Sequence, residues 1–382
     1  MTGIGIIGTG VIFREHARAL DSLNQCARLV AVAEIDEAKR TAATEEFFIP
    51  FATGDHHELL ARKDVDIVAI CTPPGSHEQL VRDALEAGKR VVCEKPLANT
   101  LAITDRLLEM EEEYPGKVSV VYQLRYQAEI RAMLDARDQG LLGDMLTGKV
   151  YRFGQLNGSE AGRTGWWGRW ASAGGGVAMT QFIHHFDQMC CLFGKPVEVR
   201  ANMDTLKQDI ESEDTFAAVV RFENGSLVNC GATVAAQHSE FQMDIIGREA
   251  SMHLPWRLRS SDPATLRRLN RAVAGVVPPT PGKYRRFIER VIRVTRRKLG
   301  WQGKKPLAND HARYWQAILE ATAKDTVLPV SIADARQSLD LCIGVYQAAM
   351  QGGVVKLPLT STSPFYEGIT SDHYSARGRD GN

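Results

Sequence analysis

The hydrophobic pattern changes character partway along the chain. From residue 1 to about 120, short and largely apolar runs alternate with stretches of helical periodicity: Ile4 to Ile7, Arg28 to Ala33, Asp66 to Cys71, Arg90 to Cys93 and Val118 to Tyr122. Strands apolar on both faces and separated by helices predict βαβ units on a parallel sheet. After Gly143 the runs lengthen and alternate with period two, as in Thr215 to Phe222, Ser226 to Val234 and Glu240 to Ile246. The first two of these flank Glu223-Asn224-Gly225, and Asn-Gly between alternating runs predicts a hairpin, hence an antiparallel sheet. Helices are expected at about Asn309 to Lys324 and from Ile332 to Gln351, the latter stopped by Gly352-Gly353. The fold class is α/β, a parallel doubly wound domain over 1–122 and an α+β domain over 123–360. Residues 361–382 are rich in Ser, Thr and Gly and read as an arm or a frayed tail.

Composition narrows the class without naming it. The chain has 382 residues, 44% hydrophobic and 24% charged, which is enough for two cores. Lys+Arg and Asp+Glu both number 46, so no overall field selects nucleic acid. Seven cysteines are scattered without metal-ligand spacing, which predicts no metal site and a reducing, cytoplasmic setting. Neither a signal-peptide pattern nor a run of eighteen apolar residues is seen, so secretion and membrane spanning are not indicated.

The candidate chemistry lies at strand ends. Ile4 to Ile7 runs into Gly8-Thr9-Gly10, and a strand entering a glycine turn is how a dinucleotide-binding domain begins. Gly8 serves the tight turn and Gly10 a close backbone approach to a pyrophosphate, with Val11 and Ile12 leading into the helix. The third glycine position is Phe13. An ordinary strand-to-helix turn is the bland alternative. Glu34, after the second strand, stands where a carboxylate accepts the ribose 2′-hydroxyl and repels a 2′-phosphate, which favours NAD over NADP. Asp36 is either a second such carboxylate or the N-cap of the next helix. Further on, Cys93-Glu94-Lys95-Pro96 pins a lysine between a carboxylate and a proline after an apolar strand, the placement of a catalytic cation.

With Gly8-Thr9-Gly10, these blocks resemble the Gfo/Idh/MocA oxidoreductases: Thr72-Pro73-Pro74 with His77, Ala87-Gly88-Lys89 into Glu94-Lys95-Pro96, Gln123-Leu124-Arg125, and Gly174-Gly175-Gly176 through Ile183-His184 to Asp187. They keep the family's order over most of the chain to about residue 360. The resemblance implies a Rossmann domain followed by an α+β domain whose open sheet often joins subunits, hence a homodimer or homotetramer. It implies hydride transfer between nicotinamide and a hydroxyl of a sugar or cyclitol. It also places Thr72, Pro73, His77, Glu94, Lys95 and Gln123 around the cofactor, and makes Arg125, Tyr126 and the Trp166-Trp167 pair candidates for substrate contact. The Gln123-Leu124-Arg125 block looks more like the branch acting on nucleotide-linked sugars, such as 3-dehydrogenases of UDP-hexosamine derivatives.

Taking hydride from a carbinol requires a group to take the hydroxyl proton, and His184 is the candidate base. Lys95 would hold the hydroxyl, stabilise developing alkoxide and favour the neutral imidazole. A core histidine and a lysine in an exposed turn are the alternatives from residue type alone. Many relatives have aspartate four residues before this histidine, where this chain has Thr180. A threonine hydroxyl one helical turn away can orient the imidazole but carries no charge, which shifts proton transfer toward Lys95. His185 should point elsewhere, and Asp187 is a structural or a substrate-hydroxyl contact. The leading function is an NAD-dependent sugar dehydrogenase. Its rivals are an NADPH-dependent keto-sugar reductase, a dehydrogenase of free sugars or inositol, and a non-catalytic NAD-binding sensor.

Between Trp256 and Lys305 nearly every charge is positive, and Tyr284 to Leu299 sets Phe287, Ile288, Val291, Ile292, Thr295 and Leu299 on one helical stripe with arginines largely opposite. Such an insertion, about 257–305, is a solvated or intersubunit helix, a grip for an anionic substrate, or a peripheral membrane contact, and the last two would fit surface polysaccharide biosynthesis.

Overall fold

The computed structural model describes residues 1–155, 167–274, 276 and 310–374. The alternation at the N-terminus folds as β1 (Thr2–Ile7), α1 (Phe13–Ser22), β2 (Ala27–Ala33), α2 (Glu37–Phe47), β3 (Phe51–Thr53), α3 (His56–Leu60), β4 (Ile67–Ile70), α4 (His77–Glu86), β5 (Arg90–Cys93), α5 (Leu101–Glu113) and β6 (Val118–Val120). The six strands pair in parallel in the order 3-2-1-4-5-6, the order of a Rossmann sheet. β4 and β6 are buried along their whole length, which is why these runs carry no polar alternation.

The second unit comprises α6 (Ala128–Asp138), β7 (Met145–Gln155), α7 (Ile183–Phe193), β8 (Pro196–Asp204), β9 (Thr215–Phe222), β10 (Leu227–Thr233), β11 (Ala235–Gly247), β12 (Ser251–Leu254), β13 (Arg257–Arg259), α8 (Pro263–Ala272), α9 (Asp310–Ala323), α10 (Ile332–Gln351) and β14 (Val355–Lys356). Its eight strands run in the order 13-12-11-7-10-9-8-14, antiparallel except where β10 lies parallel to β7. The expected hairpin joins β9 to β10, with Gly225 at φ +88° in the turn. Along β9, Phe216, Ala218, Val220 and Phe222 are buried beneath the helices, while Val219 points to the open face. α10 spans both units, packing on β8 and α7 at one side and on α5 at the other.

Residues 310–330 return to the Rossmann unit. The Tyr314 hydroxyl donates to Ser119 Oγ at 2.8 Å, and the amide of Val120 donates to the Val330 carbonyl at 2.9 Å, covering the free edge of β6. Trp315 Nε1 donates to His16 Nδ1 at 2.9 Å, and His16 Nε2 lies 2.8 Å from Glu94 Oε1. Because the indole N–H is a donor only, Nδ1 must be the acceptor, so Nε2 carries the ring hydrogen and donates to Glu94.

The C-terminal residues as far as Tyr374 are not frayed. Phe365 and Ile369 are buried, the Tyr366 hydroxyl donates to Asp105, and the Tyr374 hydroxyl is 2.9 Å from Thr205 Oγ1. A few aromatic and apolar anchors suffice to seat a segment whose other residues are polar. Of the basic insertion, Arg257 to Arg271 are described and form β13 and α8, capped by Asp262; the stripe from Tyr284 to Leu299 lies outside the described residues.

Replacing Trp315 with Phe keeps the ring but removes the donor that fixes His16, so we expect a loss of about 1–3 kcal/mol in stability. Equilibrium urea unfolding measures it.

Candidate active site

The glycine turn after β1 has the geometry a dinucleotide requires. Gly8 adopts φ +90°, and a Cβ there would lie 2.8 Å from the Cys71 carbonyl, so only glycine fits. Over Gly10 there is open space, and Val11 beyond it is exposed. Ile12 packs against the core, and Phe13, at the third glycine position, is buried against the edge of Phe47. Glu34 accepts from the Thr9 amide at 2.7 Å and from Thr9 Oγ1 at 3.0 Å, tying the end of β2 to the turn, while its other oxygen accepts from the Asp36 amide. Asp36 itself accepts from the amides of Ala38 and Lys39 and is the N-cap of α2. The open space over Gly10, the exposed flanking side chain and the carboxylate at the end of β2 are what the adenosine half of NAD needs.

Two residues expected at the cofactor, His77 and Glu94, are buried and bonded to protein groups. His77 is fully buried, with Nε2 2.9 Å from the Thr72 carbonyl and Nδ1 3.2 Å from the carbonyls of Pro96 and Leu97. It holds the turn after β4, with Thr72 and Pro73, against the turn after β5. Glu94 is buried between His16 and the Lys95 amide, 3.1 Å away. Burial raises its carboxyl, but His16, Lys95 and His311 outweigh that and leave it below its ordinary value. The ligand atoms of His16, Glu94 and His311 lie within 4.8 Å of one another, a spacing that could hold a metal. The Trp315 donor argues otherwise, because it leaves His16 Nε2 bearing a hydrogen rather than a free lone pair.

The candidate groups Lys95 and His184 lie where the two units join. Lys95 follows β5, and its Nζ donates to the backbone carbonyl of Thr180 at 2.9 Å. Thr180 belongs to a π-helical turn, Ala178–Phe182, that leads directly into α7, and wide turns of this kind concentrate at functional sites. His184 stands one turn further along, buried, with the edge of Tyr122 against its ring and Nδ1 without a hydrogen-bond partner. Gln123 Oε1, beside Tyr122 in sequence, also has none. Burial and then Lys95 hold the His184 imidazole well below its usual pKa, with smaller contributions from His185, His311 and Arg152. Burial likewise lowers the Lys95 ammonium, opposed by Glu94 and assisted by Arg152.

Thr180 does not orient His184. Its hydroxyl donates to the Gly176 carbonyl at 2.6 Å, the ordinary recourse of a buried threonine in a helix, and its backbone carbonyl is the group that matters. Asp187 is structural, bound by Arg125 through Nε at 2.7 Å and through Nη2. Arg125 also reaches Asp334, so its guanidinium is spoken for and it braces the wall behind Tyr122 instead of facing a substrate. Tyr126 packs edge-on against Tyr314. Trp167 is buried with Nε1 lacking a partner, and Trp166 lies outside the described residues. His185 turns away, stacked on Phe241 and 2.8 Å from Gln188 Oε1, its pKa pushed down to about 4, first by burial.

Arg152 was not legible as a site residue. On β7, Gly148 touches Phe193 at the far end of α7 and Val150 is buried, so Arg152 continues the same face toward the near end of that helix. Four strand residues and eight helix residues both advance roughly 12–13 Å, which brings Arg152 level with His185. Its positive charge acts on Lys95, His184 and His185 alike.

Comparison with known proteins accords with this geometry. A family model described as the Gfo/Idh/MocA oxidoreductase family, NAD-binding Rossmann fold, matches residues 2–122. The model of the corresponding C-terminal domain matches residues 130–253. An inositol 2-dehydrogenase/D-chiro-inositol 3-dehydrogenase of Lacticaseibacillus casei is 28% identical over 260 residues, 66% of this chain and 72% of that protein. An inositol 2-dehydrogenase of Agrobacterium fabrum is 33% identical over 153 residues, 39% of this chain and 45% of that protein. The WlbA dehydrogenase of Bordetella pertussis, crystallised with NADH and UDP-GlcNAcA, shares the fold with a TM-score of 0.76 at 23% identity, over 94% of this chain and 98% of that one. Among the described residues no helix is long and apolar enough to cross a membrane.

If Lys95 and His184 are electrostatic neighbours, Lys95→Met raises the His184 pKa, yet leaves it below the ordinary value because burial remains. Imidazole nitrogen chemical shifts followed against pH would show this, and an unmoved His184 would separate the two groups.

Proposed function

The chain belongs to the Gfo/Idh/MocA oxidoreductases, and from that premise we propose that it is an NAD-dependent dehydrogenase of a secondary ring hydroxyl on a sugar or cyclitol, specifically a nucleotide-linked sugar oxidised at C3. The observation that carries this reading is the contact between Lys95 Nζ and the Thr180 carbonyl, one helical turn from His184 and at the C-terminal edge of the parallel sheet. When bound there, NAD supplies the hydride acceptor. With one N–H spent on Thr180, neutral Lys95 has a lone pair to take the hydroxyl proton, and the resulting ammonium keeps two N–H groups for the substrate oxygen. His184, held neutral, accepts from or donates to the same oxygen and fixes its place.

The proton goes to Lys95. An imidazole depressed well below its usual value holds a proton weakly, and His184 has no carboxylate to strengthen it. Lys95 is lowered from the other direction, toward the working range. His184 is thus recast from base to positioning and hydrogen-bonding partner. Oxidation needs neutral Lys95, so its rate rises with pH through the lysine ionisation; reduction needs the ammonium and falls over the same interval.

A nucleotide-linked substrate is favoured by the positive charge of Arg152 beside the centre and by the likeness in fold to WlbA. The sequence matches to inositol dehydrogenases favour a cyclitol. Glu34 disfavours the 2′-phosphate of NADP, and the paired Lys95 and His184 disfavour a sensor without catalysis. The open face of the large sheet exposes Val219 and Leu227, which supports a homodimer or homotetramer built on that face.

Screening UDP-sugars, free hexoses and inositols for NADH formation at pH 7 and pH 9 is the direct test. Lys95→Arg, which keeps charge but cannot give up its proton, should reduce turnover by about 100-fold or more. His184→Ala should do likewise, and both should still quench NADH fluorescence on binding. Turnover unchanged in both variants would remove the mechanism.

A further inference from the structure

The π-helical turn that offers its carbonyl to Lys95 is itself held by a buried carboxylate that the chemistry above does not use. Glu213, just before β9, accepts from the Gly176 amide at 2.9 Å through Oε2. Its Oε1 accepts from the Ala178 amide at 2.8 Å and from the Tyr346 hydroxyl at 3.0 Å. The same tyrosine oxygen accepts from the Met179 amide at 3.1 Å, and the Glu213 backbone carbonyl accepts from Val177. Four consecutive amides entering the turn, those of Gly176 to Met179, are thus satisfied by Glu213 directly or through Tyr346. The approach is so close that a Cβ on Gly176 would lie 1.8 Å from the Glu213 carbonyl oxygen, which accounts for the last glycine of the triplet.

We propose that Glu213 is a positioning residue for the hydride-transfer centre: its ionised carboxylate fixes the turn so that the Thr180 carbonyl meets Lys95 and His184 faces the substrate. The inference rests on the assignment of Lys95 to that centre. Two backbone amides that can only donate and the Tyr346 hydroxyl surround the carboxylate, so a proton on Glu213 must displace an amide or turn the Tyr346 hydroxyl from donor to acceptor. Burial nonetheless lifts the group to about 7, against the pull of the Ala178, Gly176 and Tyr346 donors, so it changes state near neutrality. The ionisable groups that share its surroundings are Cys342 and Tyr346 of α10 and Tyr374 of the C-terminal segment, each with its own ionisation pushed up by burial first and by Glu213 in addition.

The test compares the full-length parent with Glu213→Gln, Tyr346→Phe and Lys95→Arg, using NAD and the substrate that the screen returns. In Glu213→Gln the amide must set its NH2 against one of the three donors. We expect kcat for oxidation to fall about tenfold or more, with NADH affinity unchanged, and one of two ionisations on the acid limb to vanish. Tyr346→Phe removes a donor that favours the carboxylate, so the Glu213 part of that limb moves to higher pH. Deuterium uptake over residues 176–184 should rise in both variants relative to the rest of the chain, a measurement that needs no substrate. Parental kcat, acid limb and uptake in folded Glu213→Gln would overturn the proposal, and Tyr346→Phe decides in the same way should the glutamine variant not fold. Undiminished turnover in Lys95→Arg would instead strike at the reading of the centre, leaving the uptake result to judge Glu213 by itself.

Discussion

One hydrogen bond between a side chain of the first unit and a backbone carbonyl of the second, Lys95 to Thr180, is the constraint on which the site depends. A lysine stem has four rotatable bonds, and an ammonium at the mouth of a cleft would ordinarily sweep through solvent. Here it is fixed from both ends. The backbone of Lys95 is set by Glu94 and by the turn that His77 clamps, and the ammonium is set by a carbonyl from another domain. Neither unit alone could place the charge.

Each support is made from groups whose donor and acceptor counts agree. The Trp315 indole can only donate, which decides the state of His16, which in turn gives Glu94 a donor. Around Glu213 two amides and the Tyr346 hydroxyl all donate, which suits a carboxylate. Arg125 meets Asp187 through two nitrogens, and the loss of either partner would strand a charge in the interior. Each network fixes the state of its own members, so the geometry at Lys95 depends on residues scattered through the chain.

The outline of the fold was legible because its signals are local. Continuous apolar runs became strands buried on both faces, alternation became a sheet buried on one, and Asn224-Gly225 became a hairpin. Lys95 and His184 are candidates drawn from ordered blocks, and the fold brings those blocks together. What sequence hid is long-range or conformational. The Trp315–His16 bond spans 299 positions, and no periodicity reports it. Glu34 and Asp36 are chemically alike, and only the chain path shows one tied to the glycine turn and the other capping a helix. His77 sits in a Pro-Gly turn like a ligand contact but points inward, and Thr180 sits where a charged partner is expected but uses its carbonyl. Arg152, one more polar residue on an alternating strand, gives no sign of which face it shares with α7.

The substitution of Thr180 for aspartate changes the electrostatics more than the shape. With its hydroxyl turned back to Gly176, the turn brings a dipole and no charge to the centre. The imidazoles are neutral there, and the cationic influence comes from Lys95 and Arg152. Glu94, held toward His16 in the interior, opposes the lowering of Lys95. The charge of Lys95 disfavours a proton on His184 and favours an oxygen that bears negative charge. The alkoxide that forms as a secondary alcohol loses its proton is such an oxygen, so under the proposed function the departure from the family pattern goes with taking the proton through lysine instead of through a histidine–carboxylate pair.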